Sequence, residues 1–268
     1  MQTFSRRFLQ VGVSIFFIAA LALSAQAATF SKASLKGSYS FLINLSTANP
    51  SSNEFGMVGV LTFDGKGNVT GSFTSNTAGA VLTGTLGGTY TVSSNGTGTI
   101  TFTTGSTARF AMTLNSTTAG VAAGVQLLQT NDTNNEIQSG TAVLQSTTAQ
   151  TYTVASLNGT YSFLWNMWTA TSSFPEFGTI GVITFDGKGN VSGTQTYMQD
   201  GALHTTSVTG TYTVNSNGTG IFSSTSAGFS AAFGLNSVVS GLAKGGQFLL
   251  TKDSTSGNYI ISGIAQKQ

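Results

Sequence analysis

Val58 to Gly71 reads VGVLTFDGKGNVTG, and Ile180 to Gly193 reads IGVITFDGKGNVSG, 122 positions further along. Each copy is an apolar run, the five-residue turn Asp-Gly-Lys-Gly-Asn, and an alternating polar segment. That order specifies a β-hairpin, because glycine supplies the positive φ of a tight turn while Asp and Asn tolerate or cap it. Its recurrence makes the chain a tandem duplication.

The repeat extends well beyond the hairpin. Leu35-Lys36-Gly37-Ser38-Tyr39-Ser40-Phe41-Leu42 matches Leu157-Asn158-Gly159-Thr160-Tyr161-Ser162-Phe163-Leu164, and Glu54-Phe55-Gly56 matches Glu176-Phe177-Gly178. Gly88-Thr89-Tyr90-Thr91-Val92 recurs as Gly210-Thr211-Tyr212-Thr213-Val214, and Asn95-Gly96-Thr97-Gly98 as Asn217-Gly218-Thr219-Gly220. After a one-residue deletion, Leu114-Asn115 meets Leu235-Asn236 and Gln126 meets Gln247. Copies of this length are domains rather than solenoid units. The expected division is an export segment over 1–27, a first repeat over 28–145, a Thr/Ser-rich linker over 146–155 and a second repeat over 156–268.

Within each copy the hydrophobic period is two. Tyr39, Phe41 and Ile43 alternate with Ser40, Leu42 and Asn44, and Ala108, Phe110, Met112 and Leu114 alternate with Arg109, Ala111 and Thr113. This pattern marks strands with one buried and one wet face. In the first copy it predicts strands near 37–45, 54–64, 68–76, 81–93, 97–104, 107–115, 121–130 and 136–145. Short Gly- and Asn-bearing connections pair sequence neighbours antiparallel. The predicted fold class is all-β: two tandem eight-stranded antiparallel up-and-down barrels, since closure removes unpaired edges. Two β-sandwiches are the alternative.

The second strand departs from clean alternation. Val58 and Val60 face away from Met57, Leu61 and Phe63, and Ile180 and Val182 repeat this in the second copy. A strand apolar on both faces is covered on both, so these residues are expected to carry a contact between the barrels or between protomers of a homo-oligomer.

The amino terminus reads as a processing segment. Arg6 and Arg7 form a basic start, Val11 to Leu23 an apolar stretch, and Ala25-Gln26-Ala27 a small-x-small cleavage site. The stretch is short for a membrane span, so a secreted or periplasmic protein with no stable span after cleavage is expected. Of ten Lys and Arg, eight remain without Arg6 and Arg7, balancing eight Asp and Glu. A basic face for nucleic acid is therefore not expected. Only 7% of residues are charged, and Thr makes up roughly one residue in six, filling exposed strand positions where a β-branched polar side chain fits well. Without cysteine there are no disulfides, so each repeat must be held by its own core.

Candidate chemistry is sparse. One histidine and no cysteine leave no metal-ligand spacing, and neither metal nor cofactor is expected. The Asp64 to Asn68 and Asp186 to Asn190 turns offer one carboxylate each where a calcium loop needs several oxygens. Neither a Gly-x-Ser-x-Gly elbow nor paired carboxylates flanking one site is present, so no enzyme is expected. The second copy carries the better hint. Trp165 and Trp168, the only tryptophans, stand where the first copy has Ile43 and Ser46, and aromatic rings of this kind line cavity mouths and stack on sugars or apolar ligands. His204 falls on the inward phase of its strand, beside Asp200. Asn166, at the end of the first strand, and Glu176, at the start of the second, recur in both copies as Asn44 and Glu54. Trp165, Trp168, His204, Asn166 and Glu176 are the candidate ligand-binding residues.

Gly37-Ser38-Tyr39 and Gly159-Thr160-Tyr161 resemble the Gly-x-aromatic start of the calycin barrels, the lipocalin and avidin superfamily, with Tyr where lipocalins have Trp. In lipocalins a basic residue near the last strand packs on that aromatic, and Lys267 is its counterpart candidate in the second copy. The Leu-x-Gly-x-Tyr, Phe-Asp-Gly and Gly-Thr-Tyr signatures are also similar to those of uncharacterised exported bacterial proteins, a kinship that implies no activity. The expected function is an exported non-catalytic barrel protein binding a small apolar or sugar ligand. An extracellular structural or adhesion module and an outer-membrane barrel of all sixteen strands are the alternatives.

Overall fold

The computed structural model describes residues 29–47, 54–115, 117–132, 136–168, 177–199, 201–252 and 260–268. The expected export segment lies outside them. The first repeat forms β1 (Lys36–Thr47), β2 (Phe55–Asp64), β3 (Asn68–Thr77), β4 (Ala80–Val92), β5 (Thr97–Thr104) and β6 (Arg109–Leu114). A small ribbon of β7 (Thr117–Thr118) and β8 (Val121–Ala122) follows, then β9 (Gly124–Gln129) and β10 (Glu136–Ser146). The second repeat forms β11 (Asn158–Trp168), β12 (Phe177–Asp186), β13 (Asn190–Gln199), β14 (Ala202–Val214), β15 (Thr219–Ser224), β16 (Ser230–Asn236), β17 (Gly245–Lys252) and β18 (Ile260–Lys267).

Two barrels close separately. β1 pairs with β2 on one side and β10 on the other, and β11 pairs with β12 and β18 in the same way. Each barrel has eight antiparallel strands in an up-and-down order, the β7–β8 ribbon being a side loop that the strand spacing does not announce. This topology replaces both the sandwich alternative and the single sixteen-stranded barrel, because each repeat's last strand finds its partner in its own first strand.

One end of each barrel is closed in the same manner. Short 3-10 turns at Lys32–Ser34 and Val154–Ser156 precede the first strands. The Tyr90 hydroxyl donates to the Leu35 carbonyl at 2.9 Å, and Tyr212 donates to Leu157 at 2.8 Å. Tyr39 and Tyr161 donate to the Ala122 and Ala243 carbonyls at 2.8 and 2.7 Å. Between them, Phe63 and Phe185 stack edge-on against both tyrosines of their barrel, with centroids 5.0–5.5 Å apart. Such edge-to-face pairs add to the stabilisation from burial. A side chain at Gly37 would place its Cβ 2.3 Å from the Ser146 carbonyl, with φ at +106°, which fixes the glycine of the Leu-x-Gly-x-Tyr signature.

The barrels meet side on. Leu42 and Val58 of the first pack against Ala232, Leu249 and Ile260 of the second in one buried cluster. Around it, Ser40 Oγ donates to Gln247 Oε1 at 3.0 Å, Gln247 Nε2 donates to Thr141 Oγ1 at 2.8 Å, and Asn76 Nδ2 donates to the Leu250 carbonyl at 2.9 Å. Val58 and Val60 are thus covered within the chain, at 1% and 3% exposure, by β16, β17 and β18. Ile180 and Val182 take no part in this seam: they stand 57% and 37% exposed, because the second barrel presents a different face to it.

Candidate functional site

The inward positions of the second barrel change character toward the end opposite the tyrosines. Trp165 is 4% exposed and sits on one cross-strand row with Thr179 of β12, Tyr197 of β13 and His204 of β14. One register step deeper, Gln195 of β13 pairs with Thr206 of β14, and its Nε2 donates to the Thr206 hydroxyl at 3.4 Å. On its other side the Trp165 indole meets Phe163, Phe229 and Phe248, with centroids 5.1, 5.5 and 5.7 Å away. The Phe163 ring fills the space beside Gly181, so the interior below Trp165 is packed with aromatic rings rather than hollow.

Above Trp165 the wall becomes an aromatic lip. β14 pairs with β15 only over Gly210–Val214, so the upper β13–β14 hairpin projects past its neighbour. On its inner face Tyr197 and His204 stack with centroids 5.0 Å apart and planes at 22°, and Phe177 lies 5.6 Å from Tyr197. His204 is exposed. Two polar groups complete the layer: Thr179, whose hydroxyl donates to the Thr196 carbonyl at 3.3 Å, and Trp165 Nε1, which is buried and has no hydrogen-bond partner among the described residues. A buried indole N–H ordinarily finds an acceptor.

Trp165 and His204 therefore fall on one row, bridged by Thr179 and Tyr197. Asn166 does not join them, since it alternates onto the exposed outer face of β11. Glu176, Asp200 and the side chain of Trp168 lie outside the described residues; Glu54, the first-copy counterpart of Glu176, is 5% exposed. Thr179, Gln195 and Tyr197 carry a signal that a comparison of the copies would have found. Their counterparts in the first barrel are Met57, Phe73 and Ser75, so two inward apolar side chains become polar in the second copy.

The calcium-like turns have a local explanation. Asp64 Oδ1 accepts the amides of Lys66, Gly67 and Asn68 at 2.7–2.9 Å, and Oδ2 accepts Asn68 Nδ2 at 2.6 Å. Asp186 does the same with Lys188 and Asn190. The bonds from Asn190, side chain first and then backbone, hold the Asp186 carboxyl down to about 2, and those centred on the Asn68 amide hold Asp64 lower still. Each carboxylate is engaged by its own turn. Among the described residues no three of His, Cys, Asp or Glu gather as a metal site. Burial pushes the Tyr90 and Tyr161 phenols up to about 12, which keeps them neutral donors to the backbone.

Lys267 packs on the aromatic ring of the first strand in the second barrel. Lys267 Nζ lies 5.8 Å from the Tyr161 ring centroid and donates to the Asn158 carbonyl. In the first barrel the residue opposite Tyr39 is Leu144.

Fold and rim define a two-barrel all-β protein with one differentiated rim. No family profile matches the chain, and no curated protein does. Among solved structures, a protein of unknown function from the DUF3598 family of Nostoc punctiforme is 12% identical, with 88% of this chain and 97% of that one covered and a TM-score of 0.27. Kievitone hydratase from Nectria haematococca is 7% identical, covering 87% and 90%, at 0.27. Intact Ap-TbpB, with its N and C lobes, is 10% identical, covering 90% and 77%, at 0.29. At these identities and scores none of the three bears on what this chain binds or catalyses.

Proposed function

We propose that the chain is an exported, non-catalytic protein whose second barrel binds a small ring-bearing ligand, such as a sugar, at the rim above Trp165. The observation that carries this reading is the buried Trp165 Nε1–H, left without an acceptor at the position where the first barrel has the hydrocarbon side chain of Ile43. Leaving such a donor unpaired costs roughly 1–3 kcal/mol, and a ligand oxygen seated on it removes that cost. Phe177, Tyr197 and His204 offer stacking faces, and Thr179 and Gln195 add polar groups that orient a hydroxylated ring. The packed interior limits the ligand to the rim, so it is small. Export is supported by the amino-terminal pattern. The absence of a nucleophile–base pair or carboxylate pair in the sequence supports a binding rather than a catalytic role.

Native mass spectrometry of the protein purified from its native source tests this. A discrete adduct in the wild type, lost in Trp165→Phe, is expected, since Phe keeps ring bulk and removes the N–H. A bare mass for the wild type contradicts the reading.

A further inference from the structure

The five apolar residues of the inter-barrel seam each have a counterpart in the other repeat, and every counterpart is apolar. Leu42 and Val58 correspond to Leu164 and Ile180 on the outer face of β11 and β12, which are 45% and 57% exposed. Ala232, Leu249 and Ile260 correspond to Ala111, Leu128 and Ile137 on β6, β9 and β10, of which Leu128 and Ile137 are 48% and 56% exposed. The register supports the match: Ala232 pairs with Leu249 as Ala111 pairs with Leu128, and Ile260 pairs with Trp168 as Ile137 pairs with Ser46. The polar contact recurs too, because Ser40 and Gln247 correspond to Ser162 and Gln126, both exposed. Each barrel thus carries both halves of the seam, and the single seam inside the chain uses one half from each.

We propose that the remaining halves meet between molecules: the β11–β12 face of one chain docks on the β6–β9–β10 face of a second copy, repeating the inter-barrel seam head to tail. The occupant is a second copy because the surface that fits each face is already known from within the chain. Such a contact joins two different patches, so it adds chains in a row or a ring rather than stopping at a two-fold dimer. At least three substitutions set it apart from the internal seam. Met198 replaces Asn76, so the amide that donates to the Leu250 carbonyl has no equivalent. Ile264 replaces Thr141, turning an acceptor of Gln247 into an apolar contact beside Leu164. Thr113 replaces Gly234, where a Cβ would come within 2.9 Å of the Gly59 carbonyl. The second contact therefore stands further apart and is weaker than the first.

Sedimentation velocity on protein from the full expressed chain, from micromolar to millimolar, tests the proposal. The wild type is expected to grow from one chain to two, three and more. Leu128→Lys and Ile180→Lys, both at exposed positions, are each expected to stay single, while their equimolar mixture forms a two-chain complex and nothing larger, because one intact face remains on each. Thr113→Gly is expected to shift association to concentrations at least several-fold lower. A single-chain mass throughout for wild type and Thr113→Gly overturns the proposal. So does association that persists in both lysine variants, or a mixture that remains single.

Discussion

The two barrels share a closed end and differ at the rim and on the flank. Tyr39, Phe63 and Tyr90 repeat as Tyr161, Phe185 and Tyr212 with ring spacings equal to within a few tenths of an ångström. Away from that cluster the copies part. The outer face of β2 is covered and that of β12 is exposed. The inward layer near the rim is Ile43, Met57 and Phe73 in one barrel and Trp165, Thr179 and Gln195 in the other. The closed end maintains the fold, so it tolerates little drift, whereas rim and flank carry the contacts in which the copies differ.

The largest effect is expected at the flank. Val58→Lys places a charge in the seam, where no partner is built for it, and is expected to cost about 2–4 kcal/mol. Ile180→Lys, at the matching position of the second barrel, is expected to change stability by less than about 0.5 kcal/mol. Urea unfolding of both variants reads the difference, and equal losses would break the contrast between covered and exposed faces. At the rim, Ile43→Trp gives the first barrel the indole of the second without its polar neighbours. Overpacking and an unpaired N–H are expected to cost about 1–3 kcal/mol in the same assay.

The turns supply a smaller, pH-dependent effect common to both barrels. Asp64 and Asp186 have folded pKa values below the unfolded value, so their contribution is complete above roughly pH 4 and is lost as pH falls through the folded values near 2 and below. Asp64→Asn and Asp186→Asn are each expected to flatten the decline of melting temperature across that window, and an unchanged acid profile would show the turns to be incidental. Smallest is Lys267→Leu, which gives the second barrel the residue of the first. Loss of an exposed cation over Tyr161 is expected to cost about 0.5–1 kcal/mol in thermal unfolding.

Most of the strand pattern is legible from alternation alone. The predicted third strand over 68–76 is observed as Asn68–Thr77, and the fifth, 97–104, as Thr97–Thr104. The seventh, expected over 121–130, is observed as Gly124–Gln129, because Val121 and Ala122 pair with Thr117 and Thr118 in a ribbon of their own. Val58 and Val60 announce a covered face because they interrupt the period of two. What covers them is less legible, since Leu249 and Ala232 sit in runs apolar on both faces, Phe248-Leu249-Leu250 and Ala231-Ala232-Phe233, and period reading cannot tell such runs from ordinary core strands. At the rim, Trp165 stands out by composition. Thr179 and Gln195 do not, because in a Thr-rich chain a polar inward residue is visible only against its apolar counterpart in the other copy.

The Trp165 indole reports on the rim directly, since the chain has only two tryptophans. Protein from cells supplied with 15N-labelled tryptophan gives two indole resonances, recorded before and after denaturation, dialysis and refolding. If the rim holds a ligand on Nε1–H, the Trp165 resonance, assigned by Trp165→Phe, shifts on stripping while the closed-end fold is unchanged. Identical spectra before and after would contradict a ligand at this site.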